Sequence, residues 1–150
     1  MEENQLDLDY SVLALDGWLE FNRRKWGLRP VRLTLPENQR PAMEMVFYTD
    51  VKGRIRMPKR NPYMPVRFLP TNTESIPRLR RQWLSVSELA VGEFLRRGLV
   101  NSFTFPPSVL DVREWQWSGF SVGVRYSFYT DFSSSRSDSI DRSVRQKIRK

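Results

Sequence analysis

Apolar residues recur at steps of three and four in the stretch that follows the acidic start of the chain, which predicts an amphipathic helix. Gly27 and Pro30 end this pattern. Asp16 is the predicted N-cap, because its carboxylate can accept hydrogen bonds from the amides of the first turn. The positions on the helical stripe are Leu15, Trp18, Leu19, Asn22 and Trp26.

A second and longer helical stripe lies in the middle of the chain. Pro77 suits its first turn, where no intrahelical amide is needed. Arg96 and Arg97 suit the last turn, and Gly98 is the expected left-handed stop. The stripe consists of Ile76, Leu79, Trp83, Val86, Ala90 and Phe94.

Alternating or β-prone stretches predict the strands. Residues 31–35 form one strand, and residues 42–60 form a hairpin that turns at Asp50 to Gly53. Residues 101–105 and 119–132 form two more. Residues 61–71 contain three prolines and are predicted to be an extended loop, because proline cannot donate to a strand ladder.

The last segment places Ile140, Val144 and Ile148 four residues apart, which predicts a terminal helix, and residues 106–115 predict a loop with a single helical turn. Helices therefore alternate with the predicted strands. The fold class is α/β in the mixed α+β sense, with a central, mostly antiparallel sheet flanked by helices.

Composition narrows the functions. The chain has 150 residues, a formal net charge of +8, and neither cysteine nor histidine. Without these side chains there is no thiol nucleophile, disulfide, thiolate metal site or imidazole base, so a self-contained hydrolase or zinc enzyme is disfavoured. No apolar run is long enough to predict a membrane span, and the acidic start is unlike a secretion signal, so a cytoplasmic location is expected.

Positive charge predicts an anionic partner without choosing one. No phosphate-cradling glycine motif is present, and the acid pair Asp111 and Glu114 is typical of a surface salt bridge. Basic residues among aromatic ones can form a nucleic-acid-binding patch. The favoured interpretation is that the aromatic residues belong to the core and the arginines keep the surface soluble. The candidate residues for the patch are Lys52, Arg54, Arg56, Lys59, Arg60 and Tyr63.

Two stretches carry a family resemblance. GWLEFNRRKWGLRPVRLTL at 17–35 and the segment from FPPSVLDVREW to KIRK at 105–150 resemble the first half of Fem-type acyltransferases, in which two GNAT-like folds are joined in tandem. In that family a tryptophan-led helix is followed by a strand, a hairpin and a Pro-Tyr loop, here Pro62 and Tyr63. A long helix comes next, and then an aromatic strand and a basic helix.

The resemblance implies a single GNAT-like domain over residues 1–136, with residues 137–150 starting a helix towards a second half. By this resemblance, the domain is expected to be the substrate-side, non-catalytic half of an enzyme that transfers an acyl or aminoacyl group to an amine, and to be inactive alone. Acyl-CoA or aminoacyl-tRNA is the donor implied for the complete enzyme, and the chain itself holds no cofactor. The implied anion or acceptor contacts are Lys59, Arg60, Tyr63 and Arg125.

Two departures from the family pattern matter. Members that act on peptidoglycan precursors often carry a lysine one helical turn after the tryptophan, and this chain has Asn22 there. The glycine-bearing pyrophosphate loop of GNAT enzymes is missing. The alternatives are a small basic nucleic-acid-binding domain and an interaction module that docks through the terminal helix.

Overall fold

The computed structural model describes residues 12–37 and 39–126. A short helix leads into a three-stranded sheet, a long helix follows, and a single helical turn comes last. The elements are α1 (Asp16–Trp26), β1 (Arg29–Leu35), β2 (Met43–Thr49), β3 (Val66–Phe68), α2 (Ile76–Arg97) and α3 (Arg113–Trp117).

The sheet has the order β1-β2-β3 and is antiparallel throughout. Arg29 pairs with Thr49 and Leu35 with Met43, while Met43 also pairs with Phe68 on the other side. A mixed α/β fold with an antiparallel sheet is therefore confirmed.

The two faces of β2 bury different helices because side chains alternate along a strand. Met45 and Phe47 pack into the larger core together with α2. Val46 and Tyr48 pack into a smaller core with Leu19 of α1. The central strand is thus covered on both sides, which explains why its residues from Met45 to Thr49 are all buried.

An aromatic cluster joins α2 to the segment that follows it. The Phe94 ring, fully buried, lies 4.9 Å from both the Phe103 and Trp115 rings and 5.6 Å from Phe47, measured between centroids. Phe120 meets Trp115 at 5.3 Å. Edge-to-face packing of this kind adds to the free energy gained by burial, so the cluster fixes residues 103–120 against α2.

The predicted ends of both helices are largely confirmed. Gly27, with φ 65°, ends α1, and Gly98, with φ 77°, ends α2. Asp16 as N-cap was wrong: Leu15 is the N-cap and has no side-chain capping bond. The Asp16 carboxylate instead accepts from Arg32 at 2.6 Å, because Arg32 reaches across from β1 to this end of α1.

The predicted hairpin is half correct. Gly53 has φ 77° in the turn after β2, and Asp50 accepts from the amides of Lys52 and Arg54. The returning arm, however, pairs with β2 only at Ile55, which bridges to Thr49. Pro58 and a turn with an exposed tip at residues 59–60 follow Ile55, so the ladder does not continue.

Two strand assignments were wrong in the described residues, and one loop contains a strand. The segment 61–71 includes β3, because the proline-free stretch at 66–68 can pair at the sheet edge. Residues 101–105 are not a regular strand, since Asn101 takes φ 71°. Residues 119–126 form no strand either. The rest of that predicted strand, from residue 127, and the helix predicted at 137–150 lie outside the described residues.

In the part of the chain that the structure describes, each helix is too short or too polar to cross a membrane.

The exposed carboxyl of Glu20 gives a direct test of the α1 geometry. Hydrogen bonds from Arg23 and Arg24 lower the pKa of Glu20 from an ordinary value of 4.5 to about 2. The stability that this contact contributes is fully present above the pKa that Glu20 has in the unfolded chain, and it is lost as the pH falls towards 2. An NMR titration of the Glu20 carboxyl is expected to show the low pKa, and Arg23→Ala with Arg24→Ala to return it towards 4.5. A native value already near 4.5 would contradict the contact.

Candidate anion-binding site

The two predicted cations Lys59 and Arg60 lie at the exposed tip of a tight turn, residues 58–61, called here the cationic turn. The Asn61 amide closes it by donating to the Pro58 carbonyl at 3.1 Å. Pro58 and Asn61 are buried, so the turn is anchored at both ends while its tip faces solvent. Neither cation has an ion-pair partner among the described residues.

A cluster of polar side chains holds the cationic turn from the protein interior. We call it the amide cluster, and it consists of Trp18, Asn22, Tyr48 and Asn61. The Trp18 indole donates to Asn61 Oδ1 at 2.9 Å. Asn22 Nδ2 donates to the Tyr48 hydroxyl at 3.0 Å and lies 3.3 Å from Asn61 Oδ1. The cluster therefore ties α1, β2 and the cationic turn into one unit.

These contacts also fix which way both amides point. Asn61 Oδ1 accepts from an indole that can only donate, and Asn22 Nδ2 also lies 3.2 Å from the Trp18 carbonyl, which can only accept. Asn22 Oδ1 and Asn61 Nδ2 consequently find no hydrogen-bond partner in the described part of the chain. Buried polar groups without partners are rare, because no hydrogen bond offsets the free energy that is lost when the group leaves water.

The cationic turn also touches the end of α1. Lys59 Nζ lies 5.3 Å from the centroid of the Trp26 ring, which is a cation–π contact. The Arg56 amide donates to the Tyr48 carbonyl at 2.8 Å and brings a third exposed cation to the same strand end. The site thus presents Lys59 over an aromatic ring, with exposed arginines near it in the chain.

Burial raises the pKa of the Tyr48 hydroxyl, and the hydrogen bond from Asn22 together with the charge of Arg32 opposes that rise. Tyr48 is therefore neutral at physiological pH. It serves the cluster as a fixed hydrogen-bonding partner, and it brings no charge of its own to the site.

The four predicted site residues do not share one location. Lys59 and Arg60 share the cationic turn, and Tyr63, half-buried, follows two residues after its end. Arg125 is exposed and lines a separate cavity of about 870 Å³ with Phe103, Phe105 and Trp115. The role predicted for these four residues stays a prediction.

Sequence reasoning missed the residues that support the turn. Trp18 and Asn22 were assigned to the helical stripe, four residues apart, and Asn61 was only part of a proline-rich loop. An asparagine on an otherwise apolar stripe was the available signal, because a buried amide requires a partner. Nothing in the local pattern identifies that partner as Asn61.

The described residues contain no cluster of three or more metal-ligating side chains. The predicted salt bridge at Asp111 is present, with Arg113 as its partner at 2.7 Å. Comparison of the chain with protein-family models, with curated proteins and with solved structures finds no match.

Proposed function

We propose that this chain is the substrate-side, non-catalytic half of a Fem-like N-acyltransferase, and that its cationic turn binds an anionic acceptor. The observation that carries the proposal is the anchoring of Lys59 and Arg60 by the buried Asn61. Binding sites are most effective when their charged groups are held in place before the ligand arrives. A GNAT-like fold and a cytoplasmic location are part of this proposal.

The order of elements supports the proposal. A tryptophan-bearing helix, a strand, a second strand with the turn after it, a Pro-Tyr segment and a long helix follow one another in the order that the resemblance implies, while the aromatic strand expected after the long helix is not formed at residues 119–126. This correspondence comes from sequence resemblance, and a shared order of elements does not by itself define a function. The proposed function therefore depends on the cationic turn and not on the fold.

The chemistry of the site suits recognition more than catalysis. Lysine and arginine side chains donate to carboxylate or phosphate oxygens, and Trp26 supplies an apolar surface beside them. Neither histidine nor cysteine occurs in the chain, and in this proposal the proton transfers of acyl transfer belong to the other half of the enzyme. This half contributes proximity by holding the acceptor amine near a donor, acyl-CoA or aminoacyl-tRNA, bound elsewhere.

The test is anion binding by the 150-residue chain, with inorganic pyrophosphate as the probe and calorimetry as the measurement. The double variant Lys59→Ala with Arg60→Ala is expected to bind about tenfold or more weakly, because two charged donors are lost. The control is Lys52→Ala with Arg40→Ala, which removes the same charges at other exposed positions.

The control is expected to bind like the unaltered chain. Equal weakening in both double variants would mean that net charge alone attracts the probe, and it would remove the cationic turn from the site. No binding by the unaltered chain would contradict the proposal.

The alternative is a basic nucleic-acid-binding domain. Exposed arginines without ion-pair partners in the described residues also lie on α2, at Arg78 and Arg81, far along the chain from the cationic turn. Affinity for single-stranded RNA that falls steeply with salt, and that Arg78→Ala with Arg81→Ala weakens, would favour this alternative.

A further inference from the structure

The contact between α1 and the cationic turn contains two polar atoms whose hydrogen-bonding needs are complementary. Asn22 is fully buried, and Asn61 is only 6% exposed. Asn22 Oδ1 is an acceptor without a donor, and Asn61 Nδ2 is a donor without an acceptor, as far as the described residues extend. Native proteins leave few buried polar atoms in this condition, so the pair requires an explanation.

The two side-chain amides form one half of a reciprocal pair. Asn22 Nδ2 lies 3.3 Å from Asn61 Oδ1. In a complete pair a second bond would join Asn61 Nδ2 to Asn22 Oδ1, and that bond is not formed. Nitrogen and oxygen of one amide share a carbon and are therefore about 2.2 Å apart. The two unpaired atoms consequently lie on neighbouring groups, on the side of the pair that has not closed.

Turning either amide over does not solve the problem. Reversal of Asn61 would place its NH2 group against the Trp18 indole, which can only donate. Reversal of Asn22 would place its oxygen against the Trp18 carbonyl, which can only accept. The direction of each amide is thus fixed, and the partner of the two unpaired atoms has to be a separate molecule.

The chemistry of this molecule follows from the two atoms that it meets. It must donate to Asn22 Oδ1 and accept from Asn61 Nδ2. A cation would be repelled by the hydrogens of the Asn61 NH2 group, and an anion by the Asn22 oxygen. A neutral molecule with a hydroxyl group satisfies both. Because both side chains are more than nine-tenths buried, the molecule must also be very small, which favours water.

We propose that a water molecule is bound between α1 and the cationic turn, accepting from Asn61 Nδ2 and donating to Asn22 Oδ1. The water closes the second half of the amide pair. A hydrogen bond through a bound water is nearly as favourable in enthalpy as a direct one. Asn22 thereby holds the cationic turn through two links, one direct and one through water. The inference depends on the contacts of the amide cluster and is independent of the proposed function.

Oxygen-17 magnetic relaxation dispersion of the 150-residue chain counts its long-lived internal waters. Asn22→Leu keeps the branched shape of the side chain but removes the acceptor, so this variant is expected to lose one long-lived water. Asn72→Leu, at an exposed position, is the matched control and is expected to keep it. A folded Asn22→Leu variant that retains every long-lived water of the unaltered chain would overturn the proposal.

A second measurement needs only the unaltered chain and decides the matter even where Asn22→Leu does not fold. We expect cross-peaks between water and the Asn61 side-chain NH2 protons, with opposite signs in NOE and ROE spectra, which distinguishes a bound water from proton exchange. The Tyr48 hydroxyl exchanges its proton with water and lies in the same cluster, so the cross-peaks are expected to persist in Tyr48→Phe. Absence of the cross-peaks in the unaltered chain, or their loss in a folded Tyr48→Phe variant, would contradict the bound water.

Discussion

Replacing Phe94 with alanine is expected to lower the free energy of unfolding by about 3–5 kcal/mol. Phe94 is fully buried and contacts the rings of Phe47, Phe103 and Trp115. The substitution removes the ring that joins the sheet to the segment after α2. The surrounding aromatic rings can only partly fill the space that is left, because protein interiors are closely packed.

Chemical denaturation followed by circular dichroism measures this loss. Leu95→Ala is the matched control, since Leu95 is the next residue of α2 and is 59% exposed. We expect it to change stability by no more than about 0.5 kcal/mol. Similar losses for the two variants would mean that Phe94 is not the centre of the core.

Replacing Asn61 with alanine is expected to cost about 2 kcal/mol of stability and to weaken anion binding as well. The substitution removes the acceptor of the Trp18 indole and leaves a half-buried donor without a partner. Asn22 loses a neighbour at the same time. The cationic turn then keeps its charges but loses its anchor.

Thermal unfolding and pyrophosphate titration of the same variant separate the two effects. Asn72→Ala serves as control, because Asn72 is exposed in the loop before α2. A variant at Asn61 that is destabilised yet binds pyrophosphate normally would show that the cluster has only a structural role. An effect no larger than that of the control would contradict the amide cluster itself.

Local signals predicted the elements whose ends are marked in the sequence. Both ends of helix α2 were predicted, because Pro77 is typical of a first helical turn and Gly98 of a helix end. The apolar residues between them keep the spacing of a helix throughout. The turn at Gly53 was predicted for the same reason, since it needs positive φ. Such features depend on neighbours within a few residues.

Strand pairing was predicted less well because it depends on distant partners. Val66–Phe68 is a strand because Phe68 pairs with Met43 and Val66 with Met45 at the sheet edge. The absence of proline from this stretch permits the pairing, but its partner lies more than 20 residues away in the chain. The sequence 101–105 alternates as a strand does, but Asn101 interrupts it and its inner partner is Met64. The alternation of residues in a stretch shows that it can form a strand, but the strand with which it pairs depends on the whole sheet.

The candidate site divides in the same way. Lys59 and Arg60 were predicted as anion or acceptor contacts on the basis of the family resemblance and of their place in the loop after the predicted hairpin. The anchor was not predictable, since Asn22 and Asn61 are 39 residues apart and meet only when α1 packs on the sheet. Charge is visible in sequence, whereas the geometry that makes it a site arises from tertiary packing.

The most direct test of the proposed site is an NMR titration of the 150-residue chain with inorganic pyrophosphate. The indole N–H of Trp26 lies in the ring beneath Lys59 and reports on a ligand at the cationic turn. The account predicts that the Trp26 indole and the Lys59 and Arg60 amides shift most, and that Lys59→Ala with Arg60→Ala abolishes these shifts. Shifts centred on the arginines of α2, or no shifts at all, would contradict it.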